Sequence, residues 1–126
     1  MPHLRLEYSA GLEARVDLNT VCNKLSDTLK ETGIFPLGGI RVRAFRAGNF
    51  SIADKHEMNT FCDMIFRMGQ GRSKQDRIDV GEALMEEAKK IFDELLEEKY
   101  FALSLEIIEI EKSYSWKVNS IHNRLS

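Results

Sequence analysis

The sequence predicts an α/β (α+β) domain built from two tandem strand–helix–strand units, forming a four-stranded mixed sheet with both helices on one face. Three observations carry this reading. Stretches near 4–8, 40–47, 61–68 and 101–110 show the period-two alternation or the short apolar run of a strand. Two longer stretches between them place apolar residues at helical spacing. The order then repeats, at about 2–47 and again at about 60–110. Parallel strands joined by a helix take a right-handed crossover, which lays the helix on the sheet. The other sheet face is left bare. It is predicted to carry too many apolar residues to stay wet, and so to pack against other subunits.

Leu4, Leu6 and Tyr8 alternate with Arg5 and Glu7 and make the first strand, closed by Gly11. Asp17 caps the first helix, with Thr20 three positions on. Val21, Cys22, Leu25 and Leu29 form its apolar stripe. Lys30 sits in its last turn and Gly33 takes the position just past its end. The segment Ile34-Phe35-Pro36-Leu37-Gly38-Gly39 cannot continue the helix, and a second strand follows from Ile40 to about Ala47. The stretch from Gly48 to about Thr60 is rich in polar residues and reads as the connection between units. Phe61 to Met68 is the third strand, followed by the turn Gly69-Gln70-Gly71-Arg72. Ser73 and Asp76 resemble a capping box, with Asp in place of Glu or Gln. A long amphipathic helix is predicted from there to near Lys99, carrying Ile78, Leu84, Met85, Ala88, Ile91, Phe92 and Leu95. Leu103, Leu105, Ile107 and Ile110 belong to the last strand. The tail, residues 111–126, is polar but holds Tyr114, Trp116, Val118, Ile121 and Leu125. Such side chains either pack on their own domain or reach onto a neighbour.

Composition narrows the function. A chain of 126 residues, 43% hydrophobic and 30% charged, is one globular domain. The formal charge of −2 and the absence of a basic block argue against nucleic acid as a partner. No apolar run approaches the ~20 residues of a membrane span, and the start lacks the shape of a signal peptide. A cytoplasmic location is the expectation. Cys22 and Cys62 stand apart, and His3, His56 and His122 form no ligand pattern, so no metal is expected. The two cysteines read as small buried side chains.

The chemistry centres on Pro2. With Met1 removed, Pro2 becomes the N-terminus and carries a secondary amine. An α-amino group titrates near ~8, close to the range that a general base needs. Arg41 and Arg43 lie two apart on one strand and share a face. Arg72 leaves a glycine-rich turn at a helix start, where backbone N–H groups and the helix dipole favour anions. Arginine is suited to bidentate carboxylate binding. Cations near an amine also lower its pKa, because they disfavour its charged form. Pro2 with Arg41, Arg43 and Arg72 is therefore a base beside a set of carboxylate anchors. Taken singly, each arginine reads as a solvated surface charge.

Along nearly its whole length the sequence resembles the tautomerase superfamily, named for its amino-terminal proline. The residues are Met1-Pro2-His3-Leu4 with Glu7 and Ser9, and Thr32-Gly33-Ile34-Phe35-Pro36-Leu37 with Gly39-Ile40-Arg41. Gly69 with Gly71-Arg72-Ser73, and Ala102-Leu103-Ser104 with Glu106-Ile107, continue the match. Lys117, Asn119 and Ile121-His122 complete it. Within the superfamily the nearer resemblance is to isomerases of carboxylated 2-hydroxymuconates in homoprotocatechuate degradation. The resemblance implies a tautomerase-like homotrimer with sites between subunits and no cofactor. It implies Pro2 as catalytic base, Arg41 and Arg72 as substrate-binding arginines, and a small dicarboxylate or tricarboxylate as substrate. Arg43 fits the local pattern without an assigned role. Arg5 departs from the pattern, since apolar residues are common there in relatives, and is expected to face solvent. Two other activities occur on the same resemblance: receptor binding, as in macrophage migration inhibitory factor, and dehalogenation or hydration.

Overall fold

A computed structural model describes residues 1–126. The strands are β1 (His3–Ser9), β2 (Arg41–Ala47), β3 (Thr60–Gly69) and β4 (Phe101–Ile110). The helices are α1 (Leu18–Glu31), α2 (Lys74–Ile91), α3 (Asp93–Glu98) and α4 (Ser120–Leu125). The sheet order is β2-β1-β3-β4. β1 pairs with β2 and β3 pairs with β4 in parallel, as each crossover helix requires, while β1 and β3 meet antiparallel in the centre. The predicted mixed sheet and doubled unit are both present. No helix is long and apolar enough to cross a membrane.

The strand period puts one set of side chains under the helices. Leu4 and Leu6 of β1 and Met64, Phe66 and Met68 of β3 are fully buried against Val21, Leu25 and Leu29 of α1 and Val80, Leu84 and Ala88 of α2. The helix starts follow the sequence signals. The Asn19 amide donates to Asp17 Oδ1 at 3.1 Å, and the Asp76 amide donates to Ser73 Oγ at 3.0 Å. Gly33 adopts φ 71°, the left-handed conformation expected after α1. Cys62 is buried, with its thiol pushed up to about 12, first by burial. Cys22 is only half-buried.

Two expectations are corrected. The second long helix does not run unbroken to Lys99. It stops at Phe92 (φ −102°, ψ 18°), and α3 restarts at Asp93. The break seats Phe92 in the core, its ring 4.9 Å from that of Phe101 on β4. α3 ends on Lys99 at φ 70°, a position that usually belongs to glycine. The bare sheet face is also less apolar than expected. Phe45, Phe61, Ile65, Ala102 and Ile108 share it with His3, Arg5, Glu7, Arg43, Asp63, Arg67 and Glu106. Within the tail lie a short 3-10 turn (Lys112–Tyr114) and α4. α4 packs on its own domain, against the turn Leu37–Gly39 that precedes β2. Tyr114, Trp116 and Val118 remain 78%, 86% and 96% exposed, so the stretch before α4 contributes nothing to this chain's core.

Candidate active site

β1 and β2 begin, and β3 and β4 end, at the same end of the sheet. The N-terminus, the loop before β2, the turn after β3 and the C-terminal arm therefore converge there, and between them lies a cavity of about 790 Å³. Pro2 opens β1 at its floor. Its carbonyl accepts the Arg41 amide at 3.1 Å, which fixes the proline on the sheet, while its missing N–H leaves no donor unpaired. A Cβ on Gly39 would stand 3.2 Å from Pro2 Cδ, so this glycine lets the loop close against the ring.

Fifteen residues line the cavity and none is Asp or Glu, in a chain with 20 acidic residues. Three are full cations: Arg72 from the β3–α2 turn, and Lys112 and Lys117 from the C-terminal arm. None of the three forms a salt bridge. A hollow with this charge balance is suited to a polyanion.

Arg72 is held from behind. Its guanidinium lies 4.9 Å over the Phe35 ring, and Nη2 donates to the Ile34 carbonyl at 3.3 Å. Gly71, at φ 105°, makes the turn that brings it there. Arg41 stands beside the cavity without lining it. Its Nη1 donates to the Gly39 carbonyl at 2.9 Å and the Gly38 carbonyl at 3.5 Å. Arg43 is elsewhere. It lies on the open sheet face, where its Nη1 meets His3 Nδ1 at 3.2 Å. A guanidinium only donates, so Nδ1 is the acceptor. Burial first, then Arg67 and Arg43, pull the His3 pKa down to about 4. Arg5, also on that face, has its guanidinium 5.1 Å over the Phe45 ring and is exposed in the single chain. The structure thus brings Pro2 and Arg72 together, sets Arg41 at the edge and places Arg43 outside.

The terminal amine belongs here to Met1, one residue out from the Pro2 nitrogen, which is an amide while Met1 is attached. That amine has a pKa below the ordinary value, by burial first and then by Lys117, Arg72 and Arg41. A Pro2 amine exposed by loss of Met1 would face the same cations, and the expected direction is the same. Lys112 and Lys117 received no role in the sequence reading. Lys117 enters that reading only as part of the family resemblance and Lys112 not at all, and only the return of the arm across the sheet end brings them to Pro2.

A family model described as 5-carboxymethyl-2-hydroxymuconate isomerase matches residues 2–125. The 5-carboxymethyl-2-hydroxymuconate Delta-isomerase of Escherichia coli is 37% identical over 122 residues, which is 97% of each chain. A crystal structure of a 5-carboxymethyl-2-hydroxymuconate isomerase from Deinococcus radiodurans R1 has a TM-score of 0.90 at 35% identity, covering 98% of this chain and 92% of that one. A second crystal structure, of a 5-carboxymethyl-2-hydroxymuconate delta-isomerase, has a TM-score of 0.91 at 28% identity, covering 100% and 93%.

Proposed function

The chain belongs to the 5-carboxymethyl-2-hydroxymuconate isomerase family, and from that premise we propose how its residues carry the reaction. The substrate is a 2-hydroxy-2,4-dienoic acid with further carboxylates at its far end. The Pro2 amine, freed by loss of Met1, takes the proton of the 2-hydroxyl. C2=O forms, the remaining double bond settles between C3 and C4, and C5 takes up a proton. No atom is gained or lost. The dienol is already conjugated, so a base near neutral pKa suffices. Arg72 binds the C1 carboxylate and the adjacent oxygen, where negative charge builds as the proton leaves. Arg41 holds the Gly38–Gly39 loop against the proline and adds its field to the amine. Arg43 takes no part in this chain's cavity. The observation that carries the assignment is the cavity itself: Pro2 at the floor, three cations in the walls and no acid. Reaction needs no cofactor, and the place of action is the cytoplasm.

The direct test is to mix the processed protein with 5-carboxymethyl-2-hydroxymuconate and follow loss of the dienol chromophore. Catalysed loss with formation of the 2-oxo-3-ene product is expected. A rate no higher than that of buffer would overturn the reading.

The assembly is a homotrimer packed through the open sheet face. Phe45 and Ile108 are exposed on it, and the Arg67 Nε is buried there without a partner. An unpartnered buried donor is costly, and a neighbour's acceptor would relieve it. Light scattering should give about three times the 14.5 kDa of the chain. A stable monomer at micromolar concentration would contradict it.

A further inference from the structure

Lys117 stands at the mouth of the cavity on a segment that nothing in the core explains. Its neighbours Trp116 and Val118 are exposed, yet the arm is fastened firmly just beyond. Asn119 Nδ2 donates to the Gly38 carbonyl at 2.8 Å, while Asn119 Oδ1 accepts the His122 amide at 3.0 Å. A Cβ at Gly38 would lie 2.4 Å from His122 Cα, so α4 rests directly on bare backbone. Two residues before this anchor, Lys117 faces the cavity that holds Pro2 and Arg72. It has no acidic partner among the lining residues or in any salt bridge. A lysine placed beside an amine, with both cations unpaired, is a costly arrangement unless an anion comes between them.

We propose that Lys117 binds the carboxylate carried at C5, the carbon that receives the proton, and thereby sets the preference for substrates with an acid at that end. This rests on the isomerase reading given above. Arg72 and Lys117 reach the cavity from different segments, the β3–α2 turn and the C-terminal arm, and in this proposal they take the two ends of the dienoate and hold C5 over the proline nitrogen. The C-terminal arm is then a specificity element, fastened through Asn119 and the Gly38–His122 contact. Lys117 lowers the pKa of the Met1 amine, and the same charge beside a freed Pro2 amine would disfavour its protonation, so loss of Lys117 should move the pH profile upward.

The test compares the processed wild type with Lys117→Met and Lys117→Arg on two dienols, 2-hydroxymuconate and 2-hydroxypenta-2,4-dienoate. Only the first has the distal carboxylate. The ratio of kcat/KM values, diacid over monoacid, should fall about tenfold in Lys117→Met and recover in Lys117→Arg, the order expected for losing one charge-assisted contact. Rates are compared on the high-pH plateau, so that the altered amine pKa does not enter. A second measurement needs no turnover: calorimetric titration with adipate and with hexanoate. Lys117→Met should weaken adipate binding about tenfold more than hexanoate binding. If no dienol is turned over by the wild type, the isomerase reading fails while the adipate result still judges the anchor. An unchanged diacid-to-monoacid ratio, or equal weakening of adipate and hexanoate, would overturn the proposal.

Discussion

Arg72→Ala should lower kcat/KM for 5-carboxymethyl-2-hydroxymuconate by about 10- to 150-fold. The range follows from ~1.5–3 kcal/mol for a hydrogen bond to a charged group, at ~1.4 kcal/mol per factor of ten. The loss should fall on kcat as well as KM, because the contact strengthens as charge builds on the departing enolate oxygen. Arg72 also covers the Phe35 ring and ties to the Ile34 carbonyl, so truncation removes packing along with charge. Arg72→Met keeps most of the stem over the ring and separates the two effects. If Arg72→Met retains wild-type kcat/KM while its melting temperature is unchanged, the carboxylate role is wrong. Arg43→Ala should have little direct effect on catalysis within one chain, since its guanidinium faces His3 on the open sheet face.

Much of this site could be read from sequence because local patterns determine its parts. Strand alternation placed Leu4, Leu6 and Tyr8 on one face. Asp17 and Ser73 announced the helix starts, and the Gly71 turn announced where Arg72 would leave β3. The misreadings share one physical cause, which is that tertiary contact decided them. Phe92 reads as one more apolar helix position. It became a break because its ring meets Phe101, which lies beyond the next turn. Arg41 and Arg43 do share a strand face, but side-chain direction separates their roles. One turns back to the Gly38 and Gly39 carbonyls beside the cavity, and the other meets His3. The bare face was correctly placed but misjudged in character. Its apolar residues alternate across four strands with arginines and acids that no single-strand pattern reveals as neighbours. The arm was the least legible element. Lys117 and Asn119 sit in a polar stretch without period, and their position depends on the contacts that Asn119 and His122 make at Gly38.

The central claim is that the Pro2 amine is the base. While Met1 is attached, the Pro2 nitrogen is an amide, and Met1 itself lies in the cavity with its sulfur 3.5 Å from Asn119 Nδ2. Retaining Met1 therefore removes the base and fills the substrate's place. General base catalysis typically contributes ~10²–10⁴-fold, so the loss should be of that order. The sign of the pH dependence follows from the surroundings. The pKa of the Met1 amine is lowered by burial first, then by Lys117, Arg72 and Arg41; that of a Pro2 amine facing the same cations is expected to move the same way, below the usual ~8. The neutral, active form grows as pH rises through that pKa, so kcat/KM should rise through one ionisation and level off at higher pH. Pro2→Ala, with Met1 removed, leaves a primary amine in nearly the same place and should keep partial activity with a displaced profile. The decisive measurement is kcat/KM of the processed and the Met1-retaining protein side by side, each confirmed by intact mass. The processed form should be at least about a hundredfold more active, and its rate should rise with pH through a single ionisation below ~8. Equal activity of the two forms would rule out Pro2 as the base.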